Sequence, residues 1–323
     1  MILVLIETED GQVAEVSLES LTFARGLSAA GGGVPIDVVA VGELPDPARA
    51  QLSSYAVRDV YLAEDDAFSA YSGGAWASAV QAAQAATSAV VVMAAGTNRG
   101  CEVLAHVAAR AGVAMAANVI GFQGLAPFVV ERQVVGGQVI EEMVLDERPA
   151  VFTVAGHAVE ASPADAPGAA TVQALAVSLS PADLATRAVR TVPREGGEGS
   201  GLKSARVVVG AGRGAGGPDG FGPCLELAEL LGGSLGVSRV VTSLGWRPHH
   251  EQVGQTGTRI SPELYIPCGI SGAIQHWAGC SSSRVIVAVN TDAEAPMVTK
   301  ATYAVIGDMH EVVPAINERL KSR

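Results

Sequence analysis

Four glycine-rich turns in the second half of the chain hold the residues best suited to chemistry: Gly210 to Gly217, Val253-Gly254-Gln255-Thr256-Gly257, Gly269-Ile270-Ser271-Gly272-Ala273-Ile274-Gln275-His276 and Asn290-Thr291-Asp292. Glycines in such turns let backbone N–H groups approach phosphate oxygens, and a helix N-terminus behind them favours negative charge. One glycine-rich loop is weak evidence, because glycine also simply permits a tight turn. Four at successive strand ends are much harder to dismiss, and they predict a ligand at the carboxyl edge of a parallel sheet.

The charged residues near these turns read unequally. Arg213 reads from its own turn equally well as a solvated loop charge. Arg239 follows Ser238 inside what reads as a short strand, Ser238 to Val241, where an unpaired charge is costly; a ligand or a partner carboxylate is expected at its end. His276 sits in the first turn of a helix behind Ser271-Gly272, where a lone histidine is more often packed or solvated than functional. His249-His250-Glu251 are contiguous and cannot easily face one ion, so a solvated loop is favoured and no metal is expected. Cys101, Cys224, Cys268 and Cys280 form no CxxC, which is neither a disulfide framework nor a zinc pattern and suits a reducing cytoplasm.

No Ser-His-Asp order, Walker A loop or HExxH is present, and Gly210-Ala211-Gly212-Arg213-Gly214-Ala215 only approximates the Rossmann fingerprint. No side chain stands out as nucleophile or general base. That points to a cofactor that carries the chemistry while the protein tunes it.

The elements that must position these residues follow from composition and periodicity. At 323 residues the chain has room for two domains, each large enough for its own core. Its net charge of -12 gives no electrostatic footprint for nucleic acid. Hydrophobic residues make up 49% and mean hydropathy is +0.32, yet apolar stretches such as Ala89 to Ala95 fall far short of a bilayer span, so no membrane insertion is expected. Met1 to Glu7 has neither a basic leader nor a cleavage site, so no signal peptide is expected. Aromatics at 4% with 38 glycines suit a parallel sheet buried on both faces, hence an α/β fold.

In the first half, strands are predicted at Ile2 to Ile6, Ile36 to Val41 and Ala89 to Met93, separated by a helix with Leu18, Leu21, Ala24 and Leu27 inward and another over Ala75 to Ala86. A helix over Glu102 to Ala111 follows, then an antiparallel hairpin, Glu131 to Val135 and Gln138 to Leu145, closed by Gly136-Gly137 at the sheet edge. From Ala155 to Gly201 proline and glycine punctuate a stretch with little strand signal. The domain boundary is placed near Gly196, giving an α/β domain over 1–195 and a second domain over 196–323. There, strands are predicted at Arg206 to Val209, Ser238 to Val241, Leu264 to Pro267, Val285 to Asn290 and Tyr303 to Ile306, with helices at Phe221 to Leu231 and Val312 to Leu320.

The segments Gln252-Val253-Gly254-Gln255-Thr256-Gly257, Pro262 to Ile266, Cys268 to Gly279, Ile286 to Pro296 and Gly307 to Pro314 closely resemble the alpha subunit of the electron transfer flavoproteins. The likeness is dense from about Val207 onward; in the first half it rests on strand order and the Gly-Gly hairpin. It implies FAD held mainly by a doubly wound, flavodoxin-like or Rossmann-like C-terminal domain, in a heterodimer whose beta subunit meets the N-terminal domain. The family pattern puts Arg213, Ser238, Arg239, Val253, Gly254, Gln255, Thr256, Ser271, Gly272, Ala273, Ile274, Gln275, His276, Asn290, Asp308 and Met309 at the FAD site. Within it the resemblance implies Arg239 as the cation over the isoalloxazine, His276 near the pyrimidine oxygen and Thr256 donating toward N5. Ser271, Asn290 and the glycine backbones would serve the phosphates, and Asp308 the adenosine end.

The sequence departs from the family at Ala215-Gly216-Gly217, where a bulky apolar residue and Lys are usual, at Val240-Val241-Thr242-Ser243, and at Ala301-Thr302-Tyr303. The function implied is an electron carrier rather than an enzyme. It would accept electrons from acyl-CoA and other flavoprotein dehydrogenases and deliver them to a quinone oxidoreductase or another acceptor. Alternatives are a flavin- or nicotinamide-dependent oxidoreductase with its own substrate, an electron-bifurcating variant with a second flavin, and an assembly module with a vestigial nucleotide site.

Overall fold

The structure, a computed structural model, describes residues 1–135, 139–190, 201–202 and 205–322. The chain divides into two compact units, Met1–Gln133 with Ile140–Arg194 and Val134–Val139 with Glu195–Arg323.

The first unit opens with β1 (Ile2–Leu5), an unbroken apolar run buried at every position, as a strand covered on both faces requires. A small antiparallel ribbon, β2 (Thr8–Glu9) and β3 (Gln12–Val13), leads to α1 (Glu15–Ala30), which buries Leu18, Leu21, Ala24 and Leu27 along the predicted stripe. There follow β4 (Ile36–Val41), α2 (Asp46–Ser54), β5 (Asp59–Ala63), α3 (Gly73–Thr87), β6 (Val91–Ala95) and α4 (Asn98–Ala111), the last capped by the Thr97 hydroxyl, which accepts from the Gly100 N–H at 2.8 Å. The rest is β7 (Met115–Leu125), β8 (Phe128–Val134), β9 (Val139–Val144), β10 (Ala150–Val154) and β11 (Thr171–Ala174).

These strands, apart from the ribbon, form one sheet in the order β11-β5-β4-β1-β6-β10-β7-β8-β9. The pairs from β11 to β7 are parallel, and β7 with β8 is antiparallel. The α1 stripe packs with Val4, Val38 and Phe152 on one face, while α3 and α4 pack with Leu3, Val39 and Val151 on the other. β9 is the edge strand the hairpin predicted, although its Gly136-Gly137 turn lies outside the described residues. The antiparallel extension has one more strand than expected, because β7 runs on through Gly121 and Gly124. The expectation of little strand signal after Ala155 needs a correction at β11. Its residues are mostly exposed, so they lack the apolar alternation that marks a strand, and pairing with β5 alone defines it. The expected boundary near Gly196 lies outside the described residues.

The second unit contains β12 (Val207–Ala211), α5 (Gly222–Leu230), β13 (Ser234–Val237), α6 (Arg239–Ser243), β14 (Leu264–Cys268), α7 (Ile274–Trp277), β15 (Val285–Asn290), α8 (Pro296–Lys300), β16 (Tyr303–Ile306) and α9 (Met309–Lys321). All five strands are parallel in the order β13-β12-β14-β15-β16. Numbered within this unit the order is 2-1-3-4-5, the flavodoxin-like doubly wound arrangement. Strand alternation splits the core: Val209, Ile266 and Val289 face α5 and α9, while Val208, Tyr265 and Ala288 pack with Val253, Ile260 and Met297 on the other face. The strand expected at Ser238 to Val241 lies instead at β13, ending at Val237. Gly236 disguises it in the sequence; a Cβ there would come within 2.7 Å of Val253 Cγ2, so only glycine lets that segment close over the strand.

Candidate functional site

The chain leaves β12 toward β13 on one side of the sheet and later reaches β14 on the other, so the loops beyond these carboxyl ends diverge and leave a crevice. Its floor is backbone on backbone. The Gly212 N–H donates to the Cys268 carbonyl at 3.0 Å and the Gly214 N–H to the Gly269 carbonyl at 3.1 Å. A Cβ on Gly214 would lie 2.6 Å from Gly269 Cα, and one on Gly269, where φ is +61°, would lie 2.8 Å from Met309 Sδ. Side chains at these positions would force the two loops apart.

The turn at Val253–Gly257 is drawn to the same edge. The Val253 N–H donates to the Val237 carbonyl at 2.9 Å, where β13 ends, and the Gln255 N–H to the Gln275 carbonyl at 2.8 Å, just before His276. The exposed Thr256 hydroxyl accepts from Gln252 Nε2 at 3.0 Å. Gln252 is itself buried, and its Oε1 accepts from the Thr242 hydroxyl at 2.7 Å. After β14, the Met297 N–H donates to the Ser271 carbonyl at 3.1 Å, which leaves Ser271, Ala273, Ile274 and Gln275 exposed along a short path. Gly272, at φ +79°, turns the chain there.

His276 is, with Gln252, a buried polar residue of this edge, 7% exposed. Burial lowers its pKa to about 4, against a smaller opposing effect from the Val253 backbone, so the ring is neutral near pH 7. Its Nε2 lies 2.8 Å from the Tyr265 hydroxyl, and the two rings stack with centroids 6.2 Å apart. Burial holds the Tyr265 phenol well above its ordinary range. The phenol O–H donating to the neutral Nε2 is the pairing that leaves the imidazole proton on Nδ1. That Nδ1 is buried and makes no hydrogen bond of normal geometry among the described residues, the Val253 backbone beside it acting only as the weaker influence on its pKa.

The remaining predicted residues occupy the same carboxyl edge. Arg213 opens the single 3-10 turn after β12 and is exposed. Ser238 follows β13 as the N-cap of α6, its N–H donating to the Ala211 carbonyl at 3.1 Å. Arg239 requires a correction: it is not inside a strand but the exposed first residue of α6, so the burial cost expected of it does not arise. Asn290, at the end of β15, is clamped between the Ile270 carbonyl, which it meets at 3.0 Å, and the Asp292 N–H at 3.1 Å. Asp308 caps α9 by accepting from the His310 N–H at 2.9 Å, and Met309 is buried beneath the glycine loops. His249-His250-Glu251 form an exposed to half-buried 3-10 turn whose carboxylate is taken by Arg247 at 2.6 and 2.8 Å. Among the described residues no group of three or more His, Cys, Asp or Glu side chains could hold a metal, and no helix is long and apolar enough to cross a membrane. All four cysteines are free thiols.

Comparison with known proteins bears on this arrangement. Residues 2–180 match the model of the electron transfer flavoprotein domain, and residues 201–281 that of the electron transfer flavoprotein FAD-binding domain. Proteins named electron transfer flavoprotein subunit alpha align over nearly the whole chain: 36% identity in Mycobacterium leprae (99% of this chain, 98% of that protein) and 32% in Bacillus subtilis (99% and 97%). A third, from Megasphaera elsdenii, is 31% identical over 100% of this chain and 96% of its own. The chain belongs to the electron transfer flavoprotein alpha-subunit family.

FAD is the cofactor of the domain matched by residues 201–281, and the crevice of this flavoprotein fits such a group. The glycine loops leave backbone room that a Cβ would fill, and the buried Nδ1 of His276 is a donor awaiting an acceptor such as a flavin ring oxygen. Four residues of this edge escaped sequence reasoning: Tyr265, Gln252, Thr242 and His310, whose Nε2 lies 3.1 Å from the Gly214 carbonyl. Tyr265 is indistinguishable from core in the run Leu264 to Cys268; only its pairing with His276 in space reveals it.

Proposed function

We propose that this chain is the FAD-holding subunit of a heterodimeric electron carrier, assembled with an electron transfer flavoprotein beta subunit. Electrons come from acyl-CoA dehydrogenases and other flavoprotein dehydrogenases and go to a quinone oxidoreductase or another acceptor, in the cytoplasm. The observation that carries the reading is the neutral, buried His276 with its unmatched Nδ1–H at the crevice of a flavodoxin-order sheet.

Bound FAD supplies the redox chemistry, taking up and releasing electrons at its ring. The chain's own residues would hold and tune it. His276 would donate from Nδ1 toward a ring oxygen, with the Tyr265 hydroxyl on its Nε2. Thr256, kept in place by Gln252, presents a hydroxyl to the ring edge. Arg239 adds a positive charge that favours the more negative, reduced states. Ser271, the 212–214 backbone and Arg213 would face the phosphates. Asn290 positions that loop through the Ile270 carbonyl, and Asp308 with Met309 closes the adenosine end.

The test is reduction of the co-purified pair by an acyl-CoA dehydrogenase with its substrate, followed by reoxidation with a quinone oxidoreductase. Rapid transfer supports the carrier. Flavin reduced directly by a small metabolite without a dehydrogenase points to an oxidoreductase with its own substrate. Two FAD per heterodimer indicate a bifurcating variant.

A further inference from the structure

We infer that the buried amide of Gln252 is a two-position switch that sets whether Thr256 donates or accepts a hydrogen bond at the crevice. The inference rests on the reading above that the Thr256 hydroxyl meets the ring edge of bound FAD.

Gln252 is 2% exposed, and its backbone is pinned on both sides: its N–H donates to the His249 carbonyl at 3.0 Å, and its carbonyl accepts from the Thr258 N–H at 2.6 Å. What stays free to turn is the last side-chain torsion, which in glutamine is broad and nearly two-fold. Oε1 accepts from the Thr242 hydroxyl at 2.7 Å, and Nε2 donates to the Thr256 hydroxyl at 3.0 Å. A threonine hydroxyl has one proton to give and two lone pairs to accept with. Because the Thr256 oxygen already accepts from Gln252, its proton is left for the crevice, and Thr256 is a donor there.

The opposite orientation is satisfied by neighbours already in place. Thr242 has a second acceptor in reach, the Arg239 carbonyl, 3.0 Å from its hydroxyl oxygen. With the amide rotated by half a turn, Nε2 would donate to the Thr242 oxygen, the Thr242 proton would pass to the Arg239 carbonyl, and Oε1 would take the Thr256 proton. Thr256 would then offer only lone pairs to the crevice. Neither orientation orphans the buried amide, so the cost of an unmatched polar group falls on neither, and a contact at the crevice decides between them.

That contact changes with redox state. A flavin ring nitrogen at the edge is a bare acceptor in the oxidised cofactor; in the fully reduced cofactor it carries a hydrogen and donates. The two electrons come from the electron donor and the proton from solvent, and in the chain no covalent bond forms or breaks. The oxidised ring therefore favours the orientation in which Thr256 donates, the reduced ring the other, and the turning amide keeps Thr256 matched to both. Thr242 is the positioning residue that makes the second orientation possible. It lies in the Val240 to Ser243 stretch where the sequence departs from its family, so the switch is a feature of this chain.

The test is nuclear Overhauser spectroscopy on the FAD-loaded heterodimer, with glutamine side-chain nitrogens and threonine methyls isotopically labelled, before and after full reduction with dithionite. Thr242→Ser and Thr256→Ser, which keep each hydroxyl and delete its methyl, identify the two cross-peaks. The Gln252 amide protons are expected to contact the Thr256 methyl in the oxidised protein and the Thr242 methyl in the reduced one, the ratio of the two cross-peaks changing by about tenfold or more. Thr256→Val, followed by reductive titration of the flavin, separates the two levels of the argument and is expected to shift the potential. No shift would take Thr256 off the ring and overturn both the switch and the site reading beneath it. A shift, together with an amide that contacts the same methyl in both redox states or both methyls equally in each, would overturn the switch alone.

Discussion

Acidification should destabilise the second unit through His276, by an amount the structure fixes. In the unfolded chain the imidazole takes a proton near 6.5; buried beside Tyr265 it does so only at about 4. A folded pKa below the unfolded one means that the unfolded state gains protons first. The contribution to stability is therefore complete above pH 6.5 and is lost progressively as pH falls through about 4. Integration over that gap gives a loss of about 2 kcal/mol by about pH 5 and about 3 kcal/mol at the acid limit. The comparison that isolates it is His276→Gln, which keeps an acceptor for the Tyr265 hydroxyl but does not titrate. Urea unfolding of the apoprotein in a Trp76→Phe background, so that Trp246 and Trp277 report, would be run from about pH 7.5 to about pH 5. Wild type should lose about 2 kcal/mol more than the Gln variant across that range. Equal losses in the two proteins would refute the buried, neutral imidazole and the tautomer built on it.

Other perturbations probe other parts of the account. Arg239→Ala should lower the potential of bound flavin by on the order of 30 mV, read in a reductive titration; an unchanged potential removes Arg239 from the ring. Gly279→Ala should cost about 1–3 kcal/mol and reduce FAD retention, because the added Cβ collides with the Gly254 backbone; thermal melts and flavin content measure both. In the first unit, Asp37 is fully buried and held by Arg58 at 2.6 and 3.0 Å, so Arg58→Ala should destabilise that unit by about 3 kcal/mol in urea unfolding. A loss below about 0.5 kcal/mol would mean the carboxylate is reached by water.

What the sequence displays and what it hides divide along physical lines. Strands buried on both faces, such as Ile2–Leu5 and Val285–Asn290, announce themselves as unbroken apolar runs, and the α1 stripe as helical spacing. The glycine turns are equally legible, since close backbone approach demands that residue. β11 is hidden because an exposed edge strand has no apolar face to display. β13 is displaced in the reading by Gly236, which weakens the strand pattern, while the valines of α6 strengthen it where the chain is in fact helical. The position of Arg239 changes with it, from a buried strand to an exposed helix start. Tyr265 and Gln252 could not be found at all: their roles arise from partners brought together by the fold, His276 across 11 positions and Thr242 across 10.

The central claim is that the crevice at the carboxyl edge of the second unit holds FAD through His276 and its neighbouring loops. The most direct measurement is flavin content by absorbance and cofactor release, on the chain co-expressed with a beta subunit, for wild type and for a Gly214→Val, Gly269→Val double variant. The account predicts one FAD per wild-type heterodimer and none in the variant, whose first unit stays folded. A wild-type protein without flavin after reconstitution in excess FAD, or a variant that retains it, would contradict the account.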